Sequence, residues 1–178
     1  MVAAKIDSPI TIVPIADIAS ERVERLLDQA FGVERHDRTA YRIRKGMPVL
    51  PALSFAALAQ ESLLGTIQCW PIRFACDAGN DVAMVQIGPV AVDPAHQHGG
   101  IGRMLTNRAL DAAAQEGLGD ALTLIGDPEY YGRFFGFDAS RTAQWRVPGP
   151  VEPHRLLARG AAVPARAGML CPRIHALA

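Results

Sequence analysis

Val90-Ala91-Val92-Asp93-Pro94-Ala95-His96-Gln97-His98-Gly99-Gly100-Ile101-Gly102-Arg103-Met104-Leu105 is the stretch whose reading decides the fold. It reads as a strand, a glycine-rich turn and the start of a helix. The first amides of a helix have no partner within it and carry partial positive charge, so phosphate groups bind there. Glycines let the backbone turn tightly and bring successive N–H groups onto one anion. Arg103, in the first turn, adds a charge. Two common phosphate motifs fail on their residues. The dinucleotide fingerprint needs a third glycine where Leu105 stands, and the P-loop needs a lysine that the stretch lacks.

Upstream, Val82 to Val92 is an apolar strand expected to be buried on both faces. Gly88-Pro89 interrupts it. Proline cannot donate to a ladder, and glycine in a strand marks a bulge or a close approach. The strand should therefore splay from a neighbour and leave backbone groups open to a ligand. Before it, Leu53 to Ala59 and Leu63 to Phe74 form a hairpin around Gln60-Glu61-Ser62, and Asp77 to Asp81 is a second turn. Downstream, Ile101, Met104, Leu105, Ala109, Ala112 and Ala113 recur at helical spacing up to Gly117. Ala121 to Ile125 is a strand and Glu129 to Phe134 a short aromatic helix. Gln144 to Val147 and Arg155 to Ala158 are closing strands. At the start, Ile10 to Val13 is a strand. A helix follows, capped by Asp17 or Ser20, carrying Val23, Leu26, Leu27, Ala30 and Phe31, and stopped by Gly32. Glu34 to Lys45 is a second short helix with a solvated arginine face. The order predicts a mixed α/β fold with mostly antiparallel strands and one parallel crossover around the Ile101 helix.

The 178 residues suit one domain, 1–178, and 49% hydrophobic residues suit a packed core. Eighteen basic residues balance eighteen acidic ones, so no basic excess points to nucleic acid. Cys69, Cys76 and Cys171 are odd in number and fit no metal spacing, which favours a reducing cytoplasm. No apolar run has membrane-spanning length, and the start lacks a signal pattern. The expectation is a soluble cytoplasmic protein with no membrane or nucleic-acid partner. His96 and His98 lie two apart with no third ligand nearby. His36, His154 and His175 read as surface residues, and Trp70 and Trp145 as packing.

Val92-x-Pro94-x-x-Gln97-x-x-Gly100-x-Gly102 resembles motif A of the GNAT N-acetyltransferase superfamily. Leu124-Ile125-Gly126-Asp127-Pro128-Glu129-Tyr130-Tyr131-Gly132-Arg133-Phe134-Phe135-Gly136-Phe137 resembles its motif B. Leu53-Ser54-Phe55, Gly65-Thr66-Ile67 and Ile87-Gly88-Pro89-Val90 are similar to a bacterial subgroup of small-molecule N-acetyltransferases. The resemblance implies a GNAT fold, splayed after its fourth strand, with acetyl-CoA as cosubstrate and no metal. It implies that the backbone of Val90, Ala91 and Val92 would bind the pantetheine arm. Gln97, His98, Gly99, Gly100, Ile101, Gly102 and Arg103 would hold the pyrophosphate.

A neutral amine of a small molecule or protein would attack the acetyl carbonyl directly. A strand N–H near Val92 would stabilise the carbonyl oxygen, and a tyrosine would protonate the thiolate. Tyr131 is the candidate, with Tyr130 as its alternative; the family tyrosine lies four residues before the motif B glycine, whereas Tyr131 lies five before Gly136 and Gly132 takes the four-before place, a departure that implies a one-residue bulge or a shifted helix end around Phe134-Phe135. The competing reading of both is core packing. No general base stands out: Asp93 and Asp127 read as turn or cap residues. An inactive CoA-sensing module is the other reading of the same motifs. The resemblance also makes the Arg35 to Lys45 run an acceptor-side candidate, because the first two helices of the fold often border the acceptor cleft. Homodimers are common in the family, and the sequence itself does not address one.

Overall fold

The computed structural model describes residues 8–173. Lys5 and His175 lie outside them. Eight strands form one sheet: β1 (Ile10–Pro14), β2 (Phe55–Ala59), β3 (Ser62–Cys76), β4 (Val82–Val92), β5 (Leu122–Ile125), β6 (Trp145–Arg146), β7 (Leu156–Arg159) and β8 (Gly168–Pro172). The order is β1-β2-β3-β4-β5-β7, with β8 on β3 and β6 on β8. The pairs β4–β5 and β6–β8 are parallel and the rest antiparallel. Four α-helices are described: α1 (Ser20–Phe31), α2 (Thr39–Ile43), α3 (Ile101–Gln115) and α4 (Pro128–Phe135). The mixed sheet and the β4–α3–β5 crossover agree with the expectation from sequence.

Side chains alternate across a strand, so β2 serves two cores at once. Phe55 and Ala57 pack with Ile101, Leu105 and Phe135 on one face. Ala56, between them, packs with Val23, Leu26 and Leu27 of α1 on the other. Helices therefore cover both faces. Gly65 of β3 sets the height of α3. A Cβ there would lie 2.9 Å from Ile101 Cγ2, 3.0 Å from the Ala91 carbonyl and 3.0 Å from Leu105 Cδ1. Only a residue without a side chain lets the first turn of α3 sit so close to the end of β4.

Several local expectations need correction. Ala19, not Asp17 or Ser20, occupies the cap position of α1, and no side chain caps it. The Glu34 to Lys45 helix splits into a 3-10 turn, Val33–Asp37, and α2, with Arg38 extended between them. Pro51 opens a 3-10 turn that delays β2 until Phe55. Met104 is 40% exposed rather than in the core of α3. Leu110 and Thr106 are buried there in its place, and Thr106 closes its hydroxyl onto the Gly102 carbonyl at 2.8 Å. The strand β8 was not foreseen. It occupies the β3 edge beyond β2, pairing Ile72–Cys76 where β2 no longer reaches.

Candidate active site

The antiparallel β3–β4 ladder slips between Ile67↔Val90 and Cys69↔Ile87, so Gly88 and Pro89 together face Gln68 alone. This is a bulge, and it reorients the rest of β4. Before it, Val85 and Gln86 pair with Leu122 and Thr123 of β5; beyond it β4 has no partner on that side. The splay expected from Gly88-Pro89 is present. The Trp70 indole donates to the Gly88 carbonyl at 2.9 Å and ties the bulge down.

Ladder phase decides which backbone groups are open. Asp93 N–H donates to the Leu64 carbonyl at 2.8 Å, so hydrogen-bonded pairs on this ladder are Asp93 with Leu64 and Ala91 with Thr66. Val90 and Val92 then turn their N–H and C=O groups away from β3, toward the splay. Ala91 does not: its backbone is committed to Thr66, which removes it from the set of open groups.

Beyond Val92 the chain passes through a 3-10 turn, Pro94–His96, capped by Asp93. It then enters α3 through His98 at φ 72° and Gly100 at φ 79°, both left-handed. Among the described residues, no backbone or side-chain acceptor takes the amides of His98, Gly99, Gly100, Ile101, Gly102 or Arg103. A cavity of about 420 Å³ opens over this turn, bordered by Val90, Val92, Gln97, His98, Gly102 and Tyr130. Gly100, Ile101 and Arg103 also border it; Gly99 is exposed beside it. A Cβ on Gly102 would touch Tyr130 Oη, Val90 and Val92 at 3.8 Å, so a larger side chain would fill the groove. Arg103 stacks its guanidinium 4.3 Å from the Phe134 ring centroid.

The two tyrosines part company. Tyr130 borders the cavity over the glycine turn. Tyr131 borders a second cavity, about 280 Å³, together with Gly88, Pro89, Val90 and Asp127. Val90 and Phe31 border both cavities, so the two meet there. Val92 borders only the first, which makes Val90 the open strand amide beside Tyr131. Burial, then the neighbouring Tyr130 and Asp127, push the Tyr131 phenol up to about 12. Burial also raises Tyr130, against the pull of Arg103. Asp127 Oδ1 accepts from Glu129 N–H at 3.0 Å and caps α4. Asp93 accepts from Ala95 N–H at 2.9 Å, and His96 Nδ1 lies 3.2 Å from its carboxylate. Both aspartates have the cap roles expected of them. Among the described residues, no cluster of three His, Cys, Asp or Glu is poised for a metal.

The far wall of the second cavity is arginine-rich, and the arginine run is solvated only in part: Arg38, Arg42 and Lys45 are exposed, Arg35 and Arg44 are not. Arg35 is 2% exposed and Arg44 is 5% exposed. Arg35 bonds Glu24, Asp28 Oδ1 at 2.9 Å and Tyr41 Oη at 2.7 Å. Burial would lower its pKa, and these hydrogen bonds more than reverse that. Arg44 lies between rings, 4.0 Å from the Tyr41 centroid and 4.6 Å from that of Trp70. Burial lowers its pKa to about 10, so it remains charged at neutral pH. Trp70 thus joins the bulge to this wall, beyond the packing role expected. Trp145 is in the core, its indole donating to the Pro164 carbonyl at 2.9 Å. Tyr41, Arg44 and Gln86 were missed from sequence. The density of arginine and tyrosine between Arg35 and Lys45 was the available signal.

Several solved structures share this architecture. The GNAT family N-acetyltransferase YhbS from Escherichia coli, in complex with CoA, superposes with a TM-score of 0.67 at 22% identity, over 93% of this chain and 96% of that one. A GNAT family acetyltransferase from Brucella melitensis, in complex with acetyl-CoA, gives 0.55 at 24% identity, over 86% and 97%. At these identities the likeness is one of fold. No curated protein sequence matches the chain. The acetyltransferase (GNAT) family model matches residues 20–137, more than half of the chain, from α1 through both motifs. The chain belongs to the GNAT acetyltransferase family.

Proposed function

We propose that this chain is an acetyl-CoA-dependent N-acetyltransferase, acting as a single cytoplasmic domain on the primary amine of a small molecule or protein. One observation carries the reading. A run of unpaired amides at the start of a fifteen-residue helix leads along the open edge of β4 into a cavity bordered by the partly buried Tyr131. Acetyl-CoA fits this path: its pyrophosphate needs converging amides, and its pantetheine arm needs strand-like partners. The left-handed turn at His98 and Gly100 supplies the first, and the outward groups of Val90 and Val92 the second. The neighbours solved with CoA and acetyl-CoA support the same assignment.

When bound, acetyl-CoA supplies an activated acyl carbonyl on a sulfur leaving group. The chain supplies position and polarity. The amides from His98 to Arg103 hold the phosphate charge. Val90 N–H, turned into the splay beside Tyr131, stabilises negative charge on the carbonyl oxygen. Holding amine and acyl group in one cavity removes much of the entropic barrier. Tyr131 keeps its proton at Oη, because its pKa is pushed up to about 12. A thiol ionises near 8.5, roughly 3.5 units lower, so full transfer from Oη ahead of bond cleavage is uphill. Tyr131 therefore acts by donating a hydrogen bond as charge develops on sulfur, with the proton following.

Thiol release with a panel of amines tests this. Tyr131→Phe lowers kcat by about a hundredfold with little change in the KM for acetyl-CoA. Tyr130→Phe acts mainly on that KM. A larger kcat loss in Tyr130→Phe than in Tyr131→Phe would reverse the assignment.

A further inference from the structure

The cavity beside Tyr131 has an uneven charge balance. Arg35, Arg38, Arg44 and Arg155 border it, and Asp127 is its one carboxylate. Asp127 is occupied in capping α4. Arg35 is neutralised by Glu24 and Asp28, outside the cavity. Among the described residues, no carboxylate lies within 4.0 Å of Arg38 and Arg44, which flank α2, or of Arg155, from a distant segment of the chain.

Arg44 is held as a cation between the Tyr41 and Trp70 rings, yet no carboxylate lies against it. Its Nη1 donates to the Ala40 carbonyl at 3.3 Å, and its Nη2 is buried without a partner. Gln86 donates to the same Ala40 carbonyl through Nε2 at 3.1 Å, which leaves its buried Oε1 unpartnered as well. The rings attract the cation but offer it no hydrogen-bond acceptor, so its buried Nη2 stays unsatisfied. Groups left in this state are concentrated at functional sites. Arg38 and Arg155 are exposed and border both this cavity and an adjoining one of about 720 Å³, which Asp37 and Glu152 also border without pairing with either arginine, so they stand where a substrate would enter.

Resting on the acetyltransferase reading, we propose that the acceptor is a small amine that also carries a carboxylate. Arg38 and Arg155 hold the carboxylate at the mouth of the cavity. The unbalanced charge of Arg44, enclosed behind the wall, draws it in through its field. The same field acts on the amine. Neighbouring positive charge disfavours an ammonium ion, so it lowers the amine pKa and enriches the neutral nucleophile. This accounts for a cavity without a free carboxylate to serve as base. It also works against diamines, aminoglycosides and other polycations, whose further ammonium groups would face three uncompensated arginines.

The test compares matched acceptors by thiol release: free amino acids, their carboxamides, and diamines of equal length. Acetyl-CoA-induced thermal stabilisation is recorded on the same samples. The expected kcat/KM for the acid exceeds that of its amide by about tenfold or more, as loss of a charged hydrogen bond implies, with the diamine poorest. Arg38→Gln and Arg155→Gln, both at exposed positions, shrink the acid-to-amide ratio through KM. Arg44→Met shrinks it too. Amides or diamines used as well as acids would overturn the inference. So would arginine variants that slow every amine equally, or acetyl-CoA binding with no turnover of any amino acid. Absence of the acetyl-CoA stabilisation would overturn the acetyltransferase reading itself.

Discussion

Tyr131 lies so close to Gly126 that a Cβ there would sit 2.5 Å from its Cε2 and 2.8 Å from its Cδ2. The phenol is positioned by a missing side chain two residues after Leu124. Gly126→Ala is therefore expected to displace the ring and lower kcat about as far as Tyr131→Phe does, which steady-state thiol release would show. The raised pKa of Tyr131 also has a stability consequence. Between pH 10 and 12 the unfolded chain has lost this proton and the folded chain retains it, so stability falls as pH rises, by about 1.4 kcal/mol per unit. Arg44 has the opposite sign, since its folded pKa of about 10 lies below the unfolded value. Chemical denaturation of wild type against Tyr131→Phe isolates the tyrosine: the wild type loses more stability over that window. At this scale the sequence was informative for the turn and for Tyr131. It wrongly counted Ala91 among the open groups and did not single out the Val90 amide, because ladder phase depends on a bulge whose register only the pairing with β3 defines. Arg44 and Gln86 were invisible because burial of a polar residue on α2 or β4 depends on what packs over it.

The element that makes the site is α3, and its placement depends on β3. Gly65 admits Ile101 and Leu105 against the sheet, so the amides of the first turn sit beside the end of β4. Gly65→Ala introduces a methyl at 2.9 to 3.0 Å from three atoms. Overpacking of this kind costs about 1–3 kcal/mol. The expected outcome is a lower denaturation midpoint together with weaker acetyl-CoA binding, whereas a purely local effect would leave binding intact. Periodicity made α1 and α3 legible, since each buries one regular face, and the Gln60-Glu61-Ser62 turn between two β-rich runs marked the β2–β3 hairpin, which is buried on both faces. The segment from Val33 to Ile43 was not legible in the same way. Its charged residues pattern as one exposed helix, but Arg35 turns inward to Glu24 and Asp28, and the helix breaks at Arg38. The strand β8 escaped because Gly168-Met169-Leu170-Cys171-Pro172 has weak strand composition. It is held by pairing with the far half of β3, a long-range contact without local signature.

Across the whole molecule, the cavities proposed for binding and for reaction are separate and meet at Val90 and Phe31. One is a polar cradle of amides around the start of α3; the other is a cavity enclosed by Tyr131 and the arginine wall. The β4 bulge produces both, because it ends pairing with β5 and turns Val90 and Val92 outward. The central claim is that the cradle binds the pyrophosphate of acetyl-CoA. Gly102→Glu tests it most directly, since residue 102 has helical backbone and its side chain would project between Val90, Val92 and Tyr130. Thermal unfolding would be followed with acetyl-CoA, CoA and NAD, for wild type and variant. A ligand at a hundred times its dissociation constant adds about 2.7 kcal/mol of stability. The account predicts a rise in melting temperature with both CoA species, none with NAD, and loss of the CoA response in Gly102→Glu. A wild type that responds to neither CoA species, or a variant that responds as the wild type does, would contradict it.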